Sequence, residues 1–260
     1  MIRALLACLL VGVAASVAAA ADDVIEPDRP SVTTGARIVR PGRVQLEAGL
    51  LWQRTSLAAE PTERRLSAES TVRVGVLDAL EVRLEGEPIV RLRGADDATD
   101  VGDLTLSAKW RFLDAPDDAP WPALGLMPFV KLPTAPEPIG TGKTDVGLRL
   151  IAGFTLPADM SLDANVGVAA LGQTRSGGTL VQAQASAALS RELTRGLSAF
   201  VEVFYTSREE REGRDRVGVD AGLAWRLLQN VALDVAAGTS LYGQLPDVFV
   251  RAGGSIRFGR

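Results

Sequence analysis

The chain has 260 residues, 28 basic and 32 acidic, with no histidine, one cysteine and 47% hydrophobic side chains. With no basic excess it lacks the electrostatic footprint of a nucleic-acid binder, so no nucleic-acid partner is expected. A single cysteine, Cys8, precludes an internal disulfide framework.

In chain order, MIRALLACLLVGVAASVAAA places Arg3 ahead of an apolar run that ends in small residues before Asp22 and Asp23. This reads as a secretory signal peptide over 1–21, cleaved around Ala20 or Ala21 and set aside from the fold. The stretch LLAC has the look of a lipoprotein box, but only four residues separate Arg3 from Cys8, and the apolar run continues past it. Cleavage removes one basic residue and no acid, leaving 27 basic against 32 acidic residues, a net charge of −5 and no cysteine. Beyond the leader no stretch approaches the roughly 18 apolar residues of a membrane helix, so any crossing falls to strands.

Residues 22–42 are polar and carry Pro27, Pro30 and Pro41, too irregular for a strand. They read as an irregular N-terminal periplasmic segment, either hanging free or folded into the mouth of a barrel built by the downstream chain.

From 43 onward the chain alternates. Val44, Leu46, Ala48, Leu50 and Trp52 hold one parity, and Arg43, Gln45, Glu47 and Gly49 the other. The pattern recurs at 43–54, 64–76, 80–92, 102–113, 122–132, 144–155, 161–170, 179–190, 197–206, 215–226, 231–240 and 248–258. These twelve segments have the length of tilted membrane strands, and an even count suits a single-chain outer-membrane barrel. The expected fold is an all-β, transmembrane, antiparallel up-and-down barrel over 43–260.

The polar parity carries the charge in every part of the chain. It offers Glu47, then Glu69 and Arg73, Arg83 and Glu85, and Asp103, Lys109 and Arg111. Lys131, Asp145, Arg149 and Asp163 come next, then Phe200, Glu202 and Phe204 on the ninth segment, and Asp220, Arg226, Asp234 and Arg251. The opposite parity is expected to be free of Asp, Glu, Lys and Arg throughout, because a charge facing lipid at mid-bilayer costs about 2–4 kcal/mol. A soluble sandwich also alternates, so the aromatics discriminate. Trp110, Phe112, Phe154, Trp225 and Phe258 fall near one end of the strands, and Trp52 and Tyr205 near the other, as two interfacial girdles. Connections after even segments are short and those after odd ones longer; 114–121 is the exception.

The runs DRPSVTTGARIVRPGRVQLEAGL, VLDALEVRLEGE, VGDLTLSAKWRFL and PFVKLPTAPEPIGTGKTDVGLRL resemble the outer-membrane transporter family assigned to the MetA pathway of phenol degradation. The resemblance covers nearly all of the mature chain and implies a Gram-negative outer-membrane channel for small organic compounds. It implies no catalytic residues. Two departures stand out: Phe258 precedes a Gly-Arg tail where such chains usually end on the aromatic read by the barrel-insertion machinery, and Ala135 follows LPT where the family usually has glycine.

Three chemical motifs dissolve on inspection. GTGKT at 140–144 lacks the upstream glycine of a phosphate loop, which is Glu137 here, and an alternating strand follows instead of a helix. Asp96, Asp97, Asp100 and Asp103 lack the spacing and closing glutamate of a calcium loop, so no metal is expected. A barrel hydrolase needs a base to activate its serine, usually the histidine this chain lacks. No enzyme activity and no cofactor are expected. The expected partners are outer-membrane lipid, the insertion machinery and a small-molecule solute. Gly49, Gly75, Gly125, Gly147, Gly153, Gly167, Gly218, Gly222, Gly238 and Gly253 all sit on the polar parity. They either leave room for a pore or mark bends needed for closure, so an open lumen and a filled, purely structural or surface-interacting barrel both stand.

Overall fold

The computed structural model describes residues 24–56, 61–116, 121–174, 177–243 and 246–259. The expected leader and Cys8 lie outside the described residues.

All twelve expected strands form: β1 (Val44–Thr55), β2 (Glu63–Leu77), β3 (Leu80–Arg93), then, after the three-residue β4 (Ala98–Asp100), β5 (Leu104–Leu113), β6 (Ala123–Leu132), β7 (Asp145–Leu156), β8 (Met160–Gly172), β9 (Thr179–Thr194), β10 (Leu197–Thr206), β11 (Arg216–Leu228), β12 (Val231–Tyr242) and β13 (Val248–Phe258). Each long strand pairs antiparallel with its neighbours, and β1 joins β13 as well as β2, from Val44↔Phe258 to Arg54↔Val248. Among the described residues every long strand thus has a partner on both sides, the closure that a backbone immersed in lipid requires. The short β4 lies within the acidic loop and pairs with β3 through Leu92↔Ala98, Arg91↔Thr99 and Val90↔Asp100.

The barrel is apolar outside and polar inside. Outward Leu50, Val181 and Val201 are 57, 70 and 57% exposed, whereas inward Gln45, Glu47, Arg73 and Lys109 are at most 1% exposed. A soluble core would reverse this order; hydrocarbon is the solvent that suits it. Trp110 and Trp225 lie outward near the end that holds the tight turns, and Trp52 and Tyr242 outward near the end that holds the longer loops. By the usual asymmetry of such barrels the turn end is periplasmic and the loop end external.

The expectation of a charge-free outer parity fails at the loop end. Arg54 and Arg64 occupy the outer parity at the tips of β1 and β2, directly opposite each other. In β3 the register shifts between Ser70↔Gly86 and Ala68↔Ile89, so alternation changes phase. Val90 and Leu92, at 0% and 6% exposure, turn inward, and Arg91 turns out.

Candidate functional site in the lumen

Residues 24–42 run inside the barrel. The backbone of Ile25 bonds to Gln229 O, 2.7 Å away in the β11–β12 turn, and Gly42 N reaches Gly75 O at 3.1 Å just before β1 begins. Between these points the segment loops up to mid-height and back. Its contacts reach β1, β2, β3, β5, β7, β8, β9, β10, β12 and β13, which only a chain within the lumen can do.

Asp28 anchors it. Arg83 Nη1 lies 2.5 Å, Arg73 Nη1 3.3 Å and Lys109 Nζ 3.4 Å from its Oδ2. Its other oxygen accepts from Gly35 N at 3.1 Å, tying the loop to itself. Burial alone would raise this carboxyl, but Arg73, Lys109 and Arg83 outweigh it and hold it below the usual carboxylate range. Glu47 accepts from Arg73 Nη1 at 2.8 Å and from Arg29 N at 3.1 Å, and Glu81 bridges Arg73 Nε at 3.0 Å, Lys109 Nζ at 3.3 Å and Val39 N at 2.7 Å.

Arg29 reaches across to Glu69 at 2.8 Å and Asp234 at 3.2 Å, with Arg251 Nη1 donating to Pro30 O at 3.1 Å. Its guanidinium lies over Gly49 and Gly253, cross-strand partners that form a floor; a Cβ at Gly253 would fall 2.7 Å from Nη2. Val32 N at 2.8 Å and Thr33 N at 2.5 Å donate to Glu202, as does the Thr33 hydroxyl. Asn165 brackets Thr34, accepting from its N at 2.8 Å and donating to its O at 2.9 Å. Ala36 packs with Met127 and Ile151. Side chains of the wall thus supply the hydrogen bonds that this irregular backbone does not make to a sheet, as a chain inside a barrel requires.

Eight of the ten inward glycines fall into two sets. Gly49, Gly253, Gly75 and Gly153 make room for the N-terminal segment, the last two beneath Val39–Arg40 and Ala36. Gly147, Gly222, Gly218 and Gly238 pair directly across strands with Phe129, Phe200, Phe204 and Phe249. The rings of Phe129, Phe200 and Phe249 lie over their glycines, as aromatic side chains cover bare backbone in curved sheets. Phe204 and Phe249 also approach each other at 6.2 Å, with the Arg251 guanidinium 5.5 Å from the Phe249 ring.

Two vestibules remain. The outer one is a cavity of about 790 Å³ whose lining interleaves apolar Met127, Phe129, Ala169 and Leu171 with polar Glu85, Lys131, Asp145, Arg149, Gln182 and Gln184. It shares Glu85, Thr105 and Arg149 with a further space of about 340 Å³ above Asp28–Ser31. The inner one, about 460 Å³, opens beneath the segment between Arg37, Val39, Arg73, Arg111 and Arg257.

The expected lumen residues thus separate by depth. Glu47, Arg73, Arg83 and Lys109 bind the segment from one side, and Glu69, Asp234, Arg251 and Glu202 from the other. Asp220 lies opposite Glu202, Asp163 faces Gly35, and Phe200 sits among them. Lys131 pairs with Asp103 at 3.1 Å and Asp145 at 2.8 Å in the outer vestibule. Arg111 and Arg226 lie at the turn end, near Asp114 at 3.2 Å and Glu192 at 4.0 Å. Alternation alone missed Asp28, Arg29, Thr33 and Thr34, which lie outside any strand. Glu81 and Phe249 were legible by their parity.

Residues 27–258 match the model of the family described as "Putative MetA-pathway of phenol degradation". The chain belongs to that family. Among solved structures it is similar to the COG4313 outer membrane channel from Pseudomonas putida F1, at 13% identity and a TM-score of 0.71, covering 90% of this chain and 100% of that one. It also resembles the NanC porin (11% identity, TM-score 0.55, 82% and 98% covered) and the KdgM porin in complex with disordered oligogalacturonate (8%, 0.55, 83% and 99%). No curated protein matches the chain. This family member is an outer-membrane barrel, with the charge-free mid-belt and aromatic girdles that such an environment selects.

Proposed function

We propose that the chain is a passive outer-membrane channel for small organic solutes with aromatic or hydrophobic bodies, constricted by its own N-terminal segment. The observation that carries this is the division of the lumen into two vestibules by residues 24–42, tied by backbone bonds at Ile25 and Gly42 and held between those points largely by side chains of the wall. A segment joined to the wall by ion pairs and hydrogen bonds to side chains can move while the barrel stays closed. The fold shared with channels and porins, and the family's link to phenol breakdown, support the reading. It assigns no catalytic residue, metal or cofactor, and leaves assembly to the barrel-insertion machinery.

The outer vestibule suits an amphipathic guest. Met127, Phe129 and Leu171 offer an apolar wall, and Arg149 faces the same space. Among the described residues Arg149 has one hydrogen bond, to Thr34 Oγ1 at 3.0 Å, and no carboxylate within 4.0 Å. An aromatic ring against Phe129 with an anionic group toward Arg149 would satisfy both.

Single-channel recording in planar bilayers, with uptake of phenol-sized solutes into liposomes, tests the proposal. Absence of both conductance and uptake sinks it. The density of ion pairs in the lumen then favours the second reading, a closed barrel that acts through its outer loops.

A further inference from the structure

We infer that the outer wall of β1–β3, at the loop end, binds the phosphate groups of an outer-leaflet glycolipid through a row of arginines. The row is set by register. Arg54 on β1 pairs directly with Arg64 on β2, and Arg64 pairs directly with Arg93 on β3. Cross-strand partners share a face, so all three project outward beside one another. One pair of residues nearer the membrane centre, Trp52, Leu66 and Arg91 form the next row.

The level is decisive. Trp52 is outward and 38% exposed, and an outward tryptophan marks the boundary between hydrocarbon and headgroups. Two residues along a strand are about 6–7 Å, so the arginine row stands just beyond that boundary, where headgroup phosphates lie. Outward-facing lysine or arginine at the loop end occurs, among the described strand residues, on these three adjacent strands alone.

Counterions are scarce around this row among the described residues. Arg93 pairs with Asp97 at 3.2 Å, while Arg54, Arg64 and Arg91 make no ion pair or hydrogen bond with any described residue. The remaining described acids nearby make no ion pair with them: Glu63 faces the lumen parity, Asp96 and Asp100 lie in the loop and on β4 beyond β3, and Asp247, beside the Arg54 partner Val248, accepts from Ser56 N at 2.8 Å. Like charges placed directly opposite on paired strands repel. An anion with several oxygens lying across Arg54, Arg64 and Arg91 removes that repulsion and accepts charge-assisted bonds from each. Outer-leaflet lipid A, with phosphates on a sugar headgroup and acyl chains that continue down the apolar wall past Leu66, Leu50 and Ala68, has this chemistry. The inference does not depend on whether the lumen conducts.

The test uses the refolded full chain in detergent, with bis-phosphorylated lipid A, fully dephosphorylated lipid A and inorganic phosphate as probes. Binding is read by native mass spectrometry and by the temperature at which the unboiled gel band is lost. Wild type should retain bis-phosphorylated lipid A and melt at higher temperature with it, and should do neither with the other two probes. The triple substitution Arg54→Ser, Arg64→Ser, Arg91→Ser should weaken binding about a hundredfold, near fivefold for each arginine. Equal binding of the dephosphorylated lipid, a full response to inorganic phosphate, or wild-type affinity in the triple variant each overturns the inference. If the triple variant fails to refold, Arg64→Ser alone must still lower affinity about fivefold, and the wild-type comparison of the two lipids decides independently.

Discussion

Arg73 Nη1 lies 2.8 Å from Glu47 Oε1, both side chains at 1% exposure, inside a barrel whose outer wall is apolar. By alternation alone Glu47 is a lumen charge free to act on passing ions; in the structure it is bound on all sides, with Gln45 Nε2 at 2.8 Å and Arg29 N at 3.1 Å as further donors. Glu47→Gln should therefore leave ion selectivity unchanged while loosening the N-terminal segment. Loss of the charge from this hydrogen-bonded pair is expected to cost about 1–3 kcal/mol, read from urea unfolding in lipid vesicles, and to raise the open fraction in bilayer recordings. A changed reversal potential with an unchanged open fraction would contradict it.

Asp28 gives a prediction with a definite pH sign. Its carboxyl is held below the usual range by Arg73, Lys109 and Arg83. A carboxyl depressed on folding stabilises above its unfolded value, about 3.9, and loses that contribution as pH falls through its lower folded value. The anchoring by Asp28 should thus be constant from about pH 5 to 8 and weaken only in stronger acid. Asp28→Asn should show at pH 7 the raised conductance that wild type reaches only well below pH 4. Conductance titrations of both proteins check this.

Arg149 separates charged from uncharged guests. Arg149→Ala should weaken current block by an aromatic carboxylate such as benzoate about tenfold, the loss of one charge-assisted contact, and leave block by phenol nearly unaffected. Equal losses for both solutes would mean that Arg149 shapes the vestibule instead of recognising charge. Its one bond to Thr34 makes some loosening of the segment an accompanying effect, visible as a higher basal conductance.

The barrel itself was legible because strand alternation is a local signal repeated twelve times, and lipid enforces it wherever the wall meets hydrocarbon. It failed where that enforcement ends. Arg54 and Arg64 stand beyond Trp52, Arg91 lies level with it at the edge of the apolar belt, and the shift near Gly86 changes which of Val90 and Arg91 faces in. Residues 24–42 follow no period, so by sequence a free periplasmic segment and one folded into the barrel mouth both stand. What favours the second lies in the wall, in bare positions such as Gly49 and Gly253. Only the register, which brings those two glycines together beneath Arg29, distinguishes a groove from an open pore.

Gly147 tests the other use of inward glycine. The Phe129 ring lies over it, and a Cβ there would also meet Val168 O at 2.8 Å. Gly147→Ala should push the ring toward the outer vestibule and destabilise the barrel by about 1–3 kcal/mol through overpacking. If ring displacement is the main cause, the same substitution should cost less in a Phe129→Leu background, with a coupling of at least about 0.5 kcal/mol. The carbonyl of Val168 sets a remainder that the leucine cannot relieve, because backbone in a paired strand has nowhere to move. A cost that is the same in both backgrounds would assign the glycine to the β7–β8 backbone approach, and Phe129 would then be free to act as a solute contact without a structural duty.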